Sequence, residues 1–239
     1  DHDIITDLAP MAARYPDLVL IQGFEYSSRE NVVFAGPGVG PLYENTLEDA
    51  LAQAGDLLTI VCHPQPKGAA LEYWTRPKLE ALGTWPDGLE IYNGHYGVAS
   101  ALANGRQPYY ADFWDELLTA GHRLWGFAND DFHDPEDFDN AFNMVLVDDI
   151  SPAGVIRAAK AGRSYASTGV LLEEQTIDDG RIQVRVNVAC TGRFFGPGGV
   201  ILGAGEGTVF SYQATTEQYI RFEGEGDNGR IFLQPLFRD

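Results

Sequence analysis

A chain of 239 residues, 44% apolar and 12% aromatic, is long enough to bury a substantial core and falls between one large domain and two ordinary ones. Its formal charge of −19, with only 16 Lys and Arg, argues against sequence-independent nucleic-acid binding, which depends on basic side chains facing phosphates. No apolar run approaches the ~20 residues that span a bilayer, so no membrane association is expected, and nothing in the composition assigns a localisation. Cys62 and Cys190 stand far apart and outside any CxxC pattern. They read as strand residues rather than as a disulfide framework or a thiolate zinc site.

From the start to about Gly169, short apolar runs alternate with helical stretches, the pattern of parallel β/α units. The run 18–21 reads as a first strand, followed by Gly23-Phe24-Glu25, which puts a carboxylate at its end. Gly36-Pro-Gly-Val-Gly-Pro41 lacks the GK[ST] ending of a phosphate-binding loop and reads as a connection. A helix is expected to begin near Asn45, with Glu48 three residues on as a capping box. The strand 57–62 then runs into His63-Pro64, and the strand 89–92 into Asn93-Gly94-His95. A helix over 109–120, stopped by Gly121, leads to the strand 124–127 and to Asp130-Asp131-Phe132-His133. His122, beside that helix end, reads as an exposed or capping histidine. A strand over 144–147 precedes a helix with Ser151 as N-cap, Pro152 at its first position and Gly162 beyond its end.

After Gly169 the texture changes. Ile182, Val184, Val186 and Val188 alternate with Gln183, Arg185 and Asn187, which marks a half-buried antiparallel strand. Asp179-Gly180 is a hairpin signal, and Asp227-Asn228-Gly229 is a second one between 219–222 and 230–233. The expected division is therefore an α/β domain over 1–169 and a small antiparallel, sandwich-like β domain over 170–239. The second carries no histidine, which points to assembly or substrate placement rather than chemistry.

Four of the five histidines, His2, His63, His95 and His133, stand beside a carboxylate, a proline or a glycine near an expected strand end. With Glu25 and Asp131 they form a set of imidazoles and carboxylates without thiolate, which suits zinc, manganese or iron. In a parallel barrel the strand ends would bring such scattered groups to one face. Each alone has a plainer reading: His63-Pro64 as a turn, Glu25 as a surface carboxylate, His95 as a loop residue. The case rests on the ensemble.

These residues resemble the motifs of the PHP (polymerase and histidinol phosphatase) superfamily. Asp1-His2-Asp3 is similar to the end of its TDHD or SDHD segment, Gly23-Phe24-Glu25 to its GxE strand, and His63-Pro64 to its HP strand end. Gly88-Leu-Glu-Ile-Tyr-Asn93 with His95 resembles the strand supplying a further ligand, and Asp131-Phe132-His133 the closing DxH pair. The stretches 113–133 and 158–169, the Tyr219-Ile-Arg221 strand and Gln234-Pro-Leu-Phe237 resemble the bacterial CehA/McbA-like branch. The resemblance covers nearly the whole chain.

It implies a distorted (β/α)7 barrel followed by a small all-β domain. The barrel would be incomplete at the N-terminus, because the family's opening HxH strand has no counterpart before Asp1. It also implies two or three divalent ions (Zn, Mn or Fe). Glu25 would bridge two of them and Asp131 would ligate one of that pair. His63 and His95 would complete one site, and His2 and His133 would belong to the third. The implied activity is hydrolysis of a small-molecule phosphoester by a metal-activated hydroxide, with Asp131 organising the site and His133 or His2 as proton donor. Arg29, Arg76 and Arg106 are candidates for a phosphate contact, beside a reading of each as a solvated surface arginine. Carbamate or carboxyl ester hydrolysis, and a catalytically silent scaffold, stand as alternatives. A missing first strand would leave metal binding weak and a barrel edge unpaired, which favours homo-oligomers.

Overall fold

The structure, a computed structural model, describes residues 1–69 and 73–238. It divides into two compact units, Asp1–Glu90 with Val145–Ser164 and Ile91–Met144 with Tyr165–Asp239.

In the first unit the strands Gly23–Tyr26, Val32–Ala35 and Leu58–Val61 pair antiparallel in that order. The start of the strand Gly88–Asn93 then joins in parallel, with Ile60 opposite Gly88 and Val61 opposite Leu89. Chain length dictates the first pairing, since parallel neighbours need a crossover of about a dozen residues or more and only residues 27–31 intervene. Phe24, Val32, Phe34, Ile60 and Val61 are buried, and the Phe24 and Phe34 rings stack at 5.1 Å. Gly23 is required by close approach, because a Cβ there would lie 2.7 Å from the Phe34 carbonyl oxygen. The run 18–21 forms no strand; Leu18 is 59% exposed, and the strand begins at Gly23 instead.

The helix Leu47–Ala52 is capped by Thr46, whose Oγ1 accepts from Asp49 N at 3.2 Å. The cap lies one residue beyond the expected Asn45, because Asn45 N is already engaged with the Leu42 carbonyl of a preceding 3-10 turn. The helix Pro152–Lys160 starts as its sequence suggests, with Ser151 Oγ accepting from Gly154 N at 3.0 Å and Gly162 beyond its end at φ 70°. Lys160 anchors it, donating to the Leu57 carbonyl at 2.6 Å and to Asp87 at 2.9 Å.

In the second unit the end of Gly88–Asn93 neighbours Trp125–Asn129, and the helix Ala111–Thr119 stops before Gly121 at φ 95°. The larger sheet runs in the order Val200–Gln213, Arg181–Gly196, Tyr219–Gly226, Gly229–Leu233, Ser164–Ser167, Phe142–Val145. Leu172–Asp178 pairs with Arg181–Gly196, and Leu236–Phe237 with Tyr219–Gly226. Ile182, Val184 and Val186 are buried with Phe194, Phe210, Phe222 and Ile231, while the alternate residues face out, as period two requires. Both hairpins form: Asp178 pairs with Arg181 across Asp179-Gly180, whose φ values of 46° and 72° suit a tight turn, and Gly226 pairs with Gly229. Cys62 and Cys190 are buried thiols, not joined in a disulfide.

The expected distorted (β/α)7 barrel, incomplete at its N-terminus, is not the fold. Helix accounts for 23% and strand for 36%, the strands fall in two sheets, and the seven α-helices among the described residues reach nine residues at most. Apolar runs of four residues are compatible with either pairing direction. Here the short link 27–31 and the two-residue hairpin turns select the antiparallel one. Among the described residues no helix is long and apolar enough to cross a membrane.

Candidate functional site

In the first unit, residues 1–3 lie along the strand Gly23–Tyr26. Asp3 N donates to the Glu25 carbonyl at 2.9 Å and Glu25 N to the Asp1 carbonyl at 3.0 Å, forming a parallel bridge between His2 and Glu25. The Glu25 carboxylate thereby sits between two imidazoles, with His2 Nε2 at 3.1 Å from one oxygen and His63 Nε2 at 3.4 Å from the other. Asn31 Nδ2 donates to the second oxygen at 2.6 Å. Burial alone would raise the Glu25 pKa, but hydrogen bonding and charge from His63, with help from Asn31 and His2, hold it below the ordinary carboxylate range. His63 is fixed from behind: its backbone N–H donates to the buried Glu90 at 2.6 Å, and the Tyr73 ring stacks on the imidazole at 5.7 Å. Burial pushes the Tyr73 phenol up to about 12, so it stays protonated and bonded to Asn31.

In the second unit Asn93 caps the turn Gly94–Gly97, its Oδ1 accepting from Tyr96 N at 2.9 Å, and His95 N donates to the Asp130 carbonyl at 2.8 Å. The fully buried Asp137 faces His95 Nδ1 at 3.0 Å with one oxygen. Its other oxygen accepts from His133 N and Asp134 N, each at 2.9 Å. Burial would raise the Asp137 pKa, but these backbone donors and His95 lower it. A carboxylate so placed makes Nδ1 of His95 the protonated nitrogen and leaves Nε2 as a ligand atom. His133 Nδ1 lies 2.6 Å from the Asp131 carbonyl oxygen, which leaves its Nε2 available in the same way. The His95 and His133 rings are 4.6 Å apart, and His95, His133 and Asp137 each place a donor atom within 4.8 Å of the others. Asp131 accepts from Asn93 Nδ2 at 3.1 Å, while Asp130 is spent on the loop, accepting from the backbone of Asp139, Asn140 and Ala141.

The six candidates thus fall in two groups, His2, Glu25 and His63 in one unit and His95, Asp131 and His133 in the other. Asp137 was not singled out from the sequence; its signal was Asp134-Pro-Glu-Asp137, a capping box around a 3-10 turn. His122 stands apart, closing the helix Ala111–Thr119 through its backbone. Arg29 pairs with Glu48 at 2.6 Å and Arg76 with Glu80 at 3.4 Å, whereas the Arg106 guanidinium lies over the Tyr96 ring at 4.6 Å. Among the described residues five non-glycine ones take positive φ. His63 and Asp131 are two of them, and Asp3 adjoins His2, so the unfavourable backbone gathers at the candidate ligands. With the Nδ1 atoms of His95 and His133 facing Asp137 and the Asp131 carbonyl, imidazole Nε2 atoms beside carboxylates form a donor set that fits a divalent zinc, manganese or iron ion.

No protein-family model matches the chain, and no curated protein does either.

Proposed function

We propose that the chain is a metal-dependent hydrolase acting on phosphoesters. The observation that carries this reading is the His95, His133 and Asp137 group, in which a buried carboxylate orients one imidazole and anchors the backbone of the other. The resemblance of the flanking motifs to the PHP superfamily supports it. Divalent ions held by His95, His133 and Asp131, and by His2, Glu25 and His63, would supply an activated water and neutralise charge on the attacked group. The chain's own residues have separate tasks. Asp137 keeps the His95 proton on Nδ1, Asn93 steadies Asp131, and Glu90 with Tyr73 fixes His63. His133 is 53% exposed at its side chain and His2 57%, so whichever of the two holds no ion is open on the solvent side, where it would pass a proton to a leaving group.

Hydrolysis of a carbamate or carboxyl ester is the second reading. Phe132, 60% exposed, and Phe138, 75% exposed, flank the ligand segment and would favour a neutral, apolar substrate. The test is metal analysis of the purified chain, then turnover of phosphomonoesters, phosphodiesters and aryl esters with added manganese or zinc. We expect bound metal, and phosphoester cleavage that a chelator abolishes. A chain that binds no metal and cleaves nothing would instead be a silent scaffold.

A further inference from the structure

From the second unit we infer that Arg106 receives the anionic group of the substrate and sets a preference for phosphoesters over neutral esters; this deepens the reading above and rests on it. The position of Arg106 is built by its own segment. The helix Ala99–Ala103 ends in a Schellman motif, with Gly105 at φ 77°. Arg106 N donates to the Ala101 carbonyl at 3.1 Å and Gly105 N to the Leu102 carbonyl at 3.0 Å. The side chain then lies with its guanidinium carbon 4.6 Å from the centre of the Tyr96 ring. Tyr96 belongs to the same capped turn as His95, whose ring is 5.5 Å from it and 4.6 Å from that of His133. Arg106 is therefore stacked at the edge of the His95 and His133 group through one intervening ring.

The chemistry of the stack points to an anion. Contact with a tyrosine face occupies the π surface of a guanidinium and leaves its in-plane N–H donors facing outwards, in the fork geometry that matches phosphate. Some arginines of this unit pair with carboxylates, Arg221 with Asp115 and Glu223, Arg230 with Glu225 and Arg185 with Glu173 and Glu174, while Arg123 lies over the Phe237 ring at 5.0 Å and Arg181 donates to Ser211. Arg106 differs from these in stacking on the ring that adjoins His95. No carboxylate among the described residues lies within ion-pair distance of Arg106. In a chain of net charge −19, an arginine left without an acidic partner beside a metal-type ligand group is the local source of attraction for a negative substrate.

The experiment compares the 239-residue chain with Arg106→Gln, Arg106→Lys and Tyr96→Leu. It measures metal content, kcat and KM for 4-nitrophenyl phosphate and 4-nitrophenyl acetate, and inorganic phosphate binding by calorimetry. For Arg106→Gln we expect metal content to hold, with the phosphate-to-acetate ratio of kcat/KM falling about 10- to 100-fold, mostly through KM, the scale of a lost charge-assisted hydrogen-bond pair. Inorganic phosphate binding should weaken in parallel. Arg106→Lys should restore part of the ratio, and Tyr96→Leu should reduce it by freeing the guanidinium. An unchanged ratio and unchanged phosphate affinity in Arg106→Gln would overturn the inference while leaving the hydrolase reading intact. A chain without metal or turnover would overturn the hydrolase reading, and phosphate calorimetry on the same variants would still decide whether Arg106 binds the anion.

Discussion

Asp137 acts through a proton rather than through charge alone. Its two oxygens are fully committed, one to the backbone of His133 and Asp134 and one to His95 Nδ1. In Asp137→Asn the amide oxygen can still accept from the two backbone donors, which turns the amide N–H group towards His95. That donor would move the imidazole proton from Nδ1 to Nε2, which removes Nε2 as a ligand atom while Nδ1 is occupied by the amide. The expected outcome is a folded variant with metal affinity lower by about 10- to 100-fold, the scale found for such orienting partners. Metal-competition titration measures it, and 15N shifts of the imidazole report the tautomer. Unchanged affinity would show that Asp137 only closes the turn.

The helix Ala111–Thr119 and the strand Tyr219–Gly226 meet on charge. Arg221, 2% exposed, donates from Nε to Asp115 Oδ1 at 2.7 Å and through its terminal nitrogens to Asp115 and Glu223. Tyr219 Oη donates to Asp115 at 2.7 Å and Tyr109 Oη to Glu223 at 2.9 Å, completing the cluster. Arg221→Met would strand two buried carboxylates, a loss of about 3–5 kcal/mol, whereas the same change with Asp115→Leu and Glu223→Leu should recover part of it. Urea midpoints distinguish the two. A second element, the turn before Tyr219, gives a pH signature. Partial burial works against ionisation of Glu217, but Tyr212 Oη, Thr215 N and Thr215 Oγ1 donate to it and push it down to about 2 from 4.5. A depressed carboxylate stabilises the fold above its unfolded pKa and loses that contribution as pH falls through the folded one. Glu217→Gln should therefore lower Tm at pH 7, with the difference shrinking between pH 4.5 and 2; an equal loss at pH 2 would assign the effect to packing. Such elements differ in how far the sequence betrays them. The alternation from Ile182 to Val188 and the Asp179-Gly180 turn are legible because one face of a strand and one φ pattern admit few residues. The direction of pairing in the first unit was not legible, because it is set by the length of the 27–31 link rather than by the apolar runs themselves. In the site, the histidines stood out as residue types, while Asp137 was hidden among the acidic residues of a loop and is distinguished only by what its oxygens accept.

At the scale of the whole chain, 35 acidic residues against 16 basic ones set a background of self-repulsion that any cation relieves. Sodium chloride should raise Tm as it shortens the screening length from about 30 Å at 0.01 M to about 8 Å at 0.15 M. That rise should not depend on the candidate ligands. A site-bound ion acts differently, because binding to the folded state alone adds about 4 kcal/mol at a thousandfold excess over Kd and saturates. The test is therefore to titrate manganese at fixed 0.15 M salt, where general screening is already spent, and to repeat it with His95→Ala combined with His133→Ala. A saturable increase in Tm in the parent chain, reversed by chelator and clearly smaller in the double variant, would assign the lost part to the His95 and His133 group. An equal increase in both would mean that manganese is held by the His2, Glu25 and His63 group or only neutralises an acidic surface, and in either case the ligand assignment in the second unit would fall.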